Sequence, residues 1–138
     1  MLSHATKGKV IRVEGDTIVF KPGTTTYEMH LACPGYTGPV NEPVELVVRG
    51  VARKAYTVPS GGLFVSPIMG TPKILQGRVK DLTDEQITLN CGVLINITLP
   101  TIPGSIELAR GPIEAGTLVN VILLAGIKAE LAPQTAAV

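Results

Sequence analysis

The chain states one strand plan twice. Gly8-Lys9-Val10 opens a stretch that runs through Ile18-Val19-Phe20 to Pro34-Gly35, and Gly77-Arg78-Val79 opens one that runs through Ile87-Thr88-Leu89 to Pro103-Gly104. From residue 8 to residue 77 the offset is 69, and Gly23 and Gly92 keep it. After a short insertion, Gly38-Pro39-Val40 recurs as Gly111-Pro112-Ile113 and Lys54-Ala55 as Lys128-Ala129. Internal similarity of this kind marks a structural module used twice. It constrains architecture more than chemistry.

The pattern inside each copy is strand, turn, strand. Val10, Arg12 and Glu14 alternate with Lys9, Ile11 and Val13, and Gly15-Asp16 closes a hairpin into Thr17-Ile18-Val19-Phe20. Pro22-Gly23 ends that strand, and Tyr27, Met29 and Leu31 then line one face of the next. Val44, Leu46 and Val48 face one way on a fourth strand, with Gly50 predicted as a bulge or bend before Val51 to Val58 resume. The second copy follows with Leu75 to Leu82, Gln86 to Asn90, Val93 to Leu99 and Leu118 to Leu124. Ser105 to Arg110 offers one short helical turn; no stretch sustains a longer helical period, so the class is all-β.

Four or five strands per copy suit two tandem OB-like small β-barrels, with one pseudo-two-fold barrel as the topological alternative. The corresponding division is residues 1–57 as a first module, 58–74 as a linker, and 75–138 as a second module with a short tail. At the level of pattern, each half resembles the small β-barrels appended to oxyanion-transport ATPases. In the second half the resemblance rests on Gly77-Arg78-Val79 and Gly116-Thr117-Leu118-Val119-Asn120-Val121. These motifs belong to OB-like strands in general, so they support a fold and name no family.

Hydrophobic residues make up 45% of the chain and charged residues 17%, against roughly 25% charged in ordinary soluble domains. Small modules hide apolar surface poorly, so a homo-oligomer is expected. The apolar strand supplies its candidate interface: Val119, Val121, Ile122, Leu123 and Leu124. The linker is rich in Pro and Gly yet carries Leu63, Phe64, Val65, Ile68 and Met69. Those residues either pack between the halves or dock on a protein partner.

The basic residues supply a second candidate. Lys7, Lys9 and Arg12 on the first strand and Arg49, Arg53 and Lys54 on the fourth would share a face if those strands were neighbours. Such a face could hold a small oxyanion or an oligonucleotide. Nucleic acid is the less favoured ligand, because all five aromatics fall before residue 65 and leave the second half nothing on which to stack bases.

Catalysis has little to stand on. No nucleophile-elbow, zinc-protease or phosphate-loop signature occurs. His30-x-x-Cys33 lacks further ligands for a metal, with His4 assigned to a fraying terminus, and Asp84-Glu85 reads as a solvated turn. No enzyme, metal or cofactor is expected. Two cysteines, Cys33 and Cys91, read as reduced thiols in a cytoplasmic protein, and neither a signal peptide nor a membrane span is expected. The leading expectation is a non-catalytic structural or assembly protein. An OB-like oxyanion- or oligonucleotide-binding module is the alternative.

Overall fold

A computed structural model describes residues 2–23, 25–109 and 111–133 of the chain. Its strands are β1 (Ala5–Glu14), β2 (Thr17–Pro22), β3 (Glu28–Ala32), β4 (Pro43–Thr57), β5 (Phe64–Ser66) and β6 (Met69–Gly70). They continue with β7 (Ile74–Leu82), β8 (Gln86–Asn90), β9 (Leu94–Thr98), β10 (Ile106–Glu107), β11 (Leu118–Leu123) and β12 (Lys128–Leu131). The class is all-β, and all twelve strands belong to one mixed sheet. Among the described residues no helix is long and apolar enough to cross a membrane. Where a helical turn was expected before residue 110, Ile106 and Glu107 instead pair in parallel with Ala55 and Tyr56 of β4. Arg110 itself and the tail beyond residue 133 lie outside the described residues.

Strand pairing runs in two circuits that share β4. In the first, β1 pairs β2, β2 pairs β3, β3 meets β12, β12 pairs β4, and β4 returns to β1. In the second, β7 pairs β8, β8 pairs β9, β9 pairs β4, β4 pairs β11, and β11 returns to β7. Residues Pro43 to Val47 of β4 lie against β1, while Ala52 to Thr57 lie against β11. The strand changes partners at Arg49 to Val51, which run parallel to Asn96 to Thr98. Strand pairing crosses the expected division at residue 57. The second half of β4 is laid into the C-terminal circuit, and β12 into the N-terminal one.

Alternation explains which side chains fill the interior. Val10, Ile18, Phe20, Met29, Leu31, Leu46 and Val48 meet Ile87, Leu89, Ile95, Ile97, Val119 and Val121 in one continuous core cluster. At Gly50 an added Cβ would stand 3.1 Å from Leu123 Cδ2, so the strand passes tightly over the core where it changes partners. The sheet's one bulge against β11 falls between Ile122 and Leu123, opposite Ala52 to Lys54, rather than at Gly50.

The segment between the halves is structured. β5 pairs β7 and β6 pairs β3, so residues 64–70 stitch the second circuit to the first. Val65 is 1% exposed, and Gln76 donates from Nε2 to the Gly62 carbonyl at 2.9 Å, fixing the approach to β5.

Close backbone approach demands glycine at two matching places. A Cβ on Gly8 would fall 2.4 Å from the Lys21 carbonyl oxygen, and one on Gly77 2.2 Å from that of Asn90. Gly77→Ala should therefore lower unfolding free energy by about 3 kcal/mol in urea. Gly62→Ala, where an added methyl meets nothing within 4 Å, should stay within about 0.5 kcal/mol of the parent.

Candidate functional site

The place where β4 leaves one circuit for the other gathers polar side chains that the strand pattern alone scatters. Asn96 lies beside Arg49 on β9 and is buried to 3% exposure. Its Oδ1 accepts from the His4 N–H at 3.0 Å and from the Thr88 hydroxyl at 2.9 Å. Its Nδ2 donates to the carbonyls of His4 at 2.9 Å and Val48 at 3.1 Å. A buried amide satisfied at both ends costs little and fixes its surroundings; unsatisfied, it would cost about 1–3 kcal/mol per group. Here it pins the N-terminal segment across the junction. His4 is thus held at both backbone groups and is not frayed.

Arg49 completes that strap. Nε donates to Glu130 at 3.0 Å, Nη1 to the Leu2 carbonyl at 2.7 Å and Nη2 to the Ser3 hydroxyl at 2.8 Å. Gln86 Oε1 accepts the Leu2 N–H at 2.8 Å. His4 Nε2 lies 2.9 Å from Asp81 Oδ2. That hydrogen bond, aided by the Leu82 N–H and opposed by slight desolvation, holds the Asp81 carboxyl below its ordinary range. Beside Arg49 an open cleft of about 200 Å³ is lined by Gly50, Val51, Gln86, Asn96, Thr98, Ala125, Gly126 and Lys128. A wider, shallow groove of about 900 Å³ runs between Lys7, Thr37–Pro39, Pro43–Glu45 and Leu131–Pro133.

The six basic residues are divided by this arrangement. β1 and β4 are neighbours, as the expected shared face requires. Carboxylates, however, answer four of the six: Lys7 with Glu45 at 3.7 Å, Arg12 with Glu14 at 2.7 Å, Arg49 with Glu130 at 3.0 Å and Lys54 with Glu107 at 2.7 Å. Lys9 and Arg53 are exposed and stand on portions of sheet that belong to different circuits. Such pairs, exposed to solvent, contribute little stability, but they cancel much of the positive potential on that side.

Burial also divides the apolar strand. Val119, Val121 and Leu123 are buried, as are Leu118 and Asn120, in a strand flanked by β4 on one side and β7 on the other. Of the five expected contact residues, Val119, Val121 and Leu123 are thus buried within the chain itself. Ile122 stays half-buried and Leu124 is 46% exposed, both on the outer face. Ile74 stands directly opposite Ile122, and Val51, whose carbonyl accepts the Leu124 N–H at 2.8 Å, stands beside Leu124. Val51, Leu124, Ile122 and Ile74 thus form an apolar row over three neighbouring strands.

The linker residues separate likewise. Val65 is in the core and Phe64 half-buried, whereas Leu63, Ile68 and Met69 are exposed, Met69 to 64%. Cys91 is fully buried, which pushes its thiol up to about 12. Burial, with the Glu130 charge second, also raises Cys33. Neither thiol is poised as a nucleophile at neutral pH. Among the described residues no three His, Cys, Asp or Glu side chains converge as a metal site.

Sequence reasoning missed Asn96, His4 and Lys128, since a polar residue on a strand reads as solvent-facing until its neighbours are known. The one available signal was Asn96 itself, an amide set between Ile95 and Ile97 in an apolar strand.

The Asp81 shift has a defined pH consequence. A carboxyl whose folded-state pKa lies below 3.8 contributes stability that is fully present above that value and is lost as pH falls through the folded pKa. Asp81→Asn should therefore unfold more readily than the parent near neutrality, with the gap closing below pH 3.8. Parallel thermal melts from pH 7 to about 2.5 check this. No protein-family model, curated protein or solved structure matches the chain.

Proposed function

We propose that this protein is a non-catalytic assembly module, an internally duplicated pair of OB-like barrels with exchanged fifth strands, that self-associates through its outer sheet face. The order β1-β2-β3-β12-β4 with β12 parallel to β3, and the order β7-β8-β9-β4-β11 with β4 parallel to β9, support the OB-like reading. Matching irregularities support duplication. Register shifts fall between Val10 and Arg12 and again, 69 residues on, between Val79 and Asp81. Asn41 (φ 61°) donates its N–H to the Val10 carbonyl and Gly116 (φ 91°) to that of Val79, both at 2.8 Å.

On this reading the repeat alignment needs one adjustment. β4 and β11 correspond with an offset of 75, since Gly8 pairs Val44 and Gly77 pairs Val119. Lys54 lies opposite Ile122 and Glu130 opposite Val47, so Lys54 corresponds to Glu130 rather than to Lys128.

The observation that carries the functional reading is the row Val51, Leu124, Ile122 and Ile74. A second copy of this apolar row would be self-complementary about a two-fold axis, with Lys54, opposite Ile122, at its edge. The chain's low charge content supports the same conclusion. Leu63, Ile68 and Met69 are also exposed, on the strand-joining segment. A cytoplasmic setting is part of the proposal, supported by two free buried thiols.

Sedimentation velocity tests it. The parent should sediment as an oligomer at about 10 µM, and Ile122→Asp or Leu124→Asp should give a folded monomer, with unchanged far-UV circular dichroism. A parent that remains monomeric at hundredfold higher concentration would contradict the reading. Salt-sensitive retention of single-stranded DNA, lost on Lys9→Gln and Arg53→Ala, would favour the oligonucleotide-binding alternative instead.

A further inference from the structure

The junction cleft holds a pair of cations whose placement calls for an anion. Antiparallel pairing sets Lys128 directly opposite Arg49, so both side chains leave the sheet on the same face. Like charges in that position destabilise a strand pair. Glu130 answers Arg49 at 3.0 Å, and among the described residues no carboxylate pairs with Lys128. Two cations and one carboxylate leave the corner with a single positive charge. Arg49 is also held rigidly. Three of the five N–H donors of its guanidinium are committed to Glu130, Leu2 and Ser3, and two remain.

The cleft supplies further donors. Its wall includes the Thr98 hydroxyl and the turn at Ala125-Gly126. Among the described residues the N–H groups of Ala125 and Gly126 are given to no acceptor. Successive backbone N–H groups in a turn form a concavity suited to anions. Asn96 and Gln86 shape the floor, but their polar atoms are already engaged. At about 200 Å³ the space is below the roughly 300 Å³ from which drug-sized ligand pockets begin. That size suits one small ion with its water.

We infer that this cleft binds a single tetrahedral oxyanion, phosphate or sulfate, through the Lys128 ammonium, the two remaining Arg49 N–H groups and the Ala125-Gly126 turn. The cleft abuts the proposed self-association row through Val51 but uses neither the Ile122 nor the Ile74 surface.

Nitrogen-15 NMR titration of the full chain tests it, using sodium phosphate in one arm and sodium sulfate in another, with chloride holding ionic strength constant. Saturable amide shifts should centre on Ala125, Gly126 and Lys128. Saturation by both ions marks a site reading shape and charge, and saturation by phosphate alone one that also reads its proton; each supports an oxyanion site. Lys128→Gln, at an exposed position that leaves the core intact, should weaken binding at least about tenfold. Lys9→Gln, on an exposed cation remote in the pairing pattern, should leave it unchanged. No saturable shift at these three amides up to about 50 mM, or equal affinity in Lys128→Gln, would overturn the assignment.

Discussion

β4 supplies hydrogen-bond partners to both halves of the molecule at once, and the remaining strands are arranged around that fact. Its fifteen residues reach about 50 Å when extended, long enough to lie along one circuit and then the other. Neither circuit closes without it. β12 performs the reciprocal service by filling the gap between β3 and the first half of β4. Each half is therefore incomplete alone, and the interior is one continuous cluster rather than two small ones. That solves the surface-to-volume problem of modules this small.

Where β4 changes partners, ladder pairing is interrupted on one edge, and interrupted ladders leave backbone groups to be satisfied by side chains. Asn96 and Arg49 do this by drawing Leu2 to His4 across the seam. The same interruption opens the cleft bounded by the Ala125-Gly126 turn. Structure and candidate chemistry thus share one origin. In the proposed duplication, corresponding positions have diverged: Val51 and Leu124 are apolar where Lys128 and Arg49 are charged, and Val51 lines the same cleft as the two cations. Apolar residues suit contact with a second protein surface; paired cations suit an anion.

Much of the strand plan was legible in the sequence because period-two alternation reports directly on burial. Met29 and Leu31, Leu46 and Val48, and Ile95 and Ile97 are all in the interior. The exchange of β4 and β12 was not legible. An alternating strand reads the same whichever neighbour it pairs with, and nothing local distinguishes Ala52 to Thr57 paired to β11 from the same residues folded back on β1. The apolar face of β11 was half legible: the run Val121 to Leu124 announced burial on both sides, but only pairing shows which side is the chain's own core. Ion pairing was invisible for a related reason. Glu107 reaches Lys54 and Glu130 reaches Arg49 across separations that no sequence pattern encodes.

Native-state hydrogen exchange on the full-length chain tests the shared-strand account most directly. If β4 and β12 bind the halves into one cooperative unit, the slowest amides of β2 (Ile18 to Phe20) and of β8 (Ile87 to Leu89) should exchange with the same opening free energy, and β12 amides at Ala129 and Glu130 should be protected with them. Two separate plateaus, one for residues 5–57 and another for residues 74–123, with β12 exchanging freely, would contradict it.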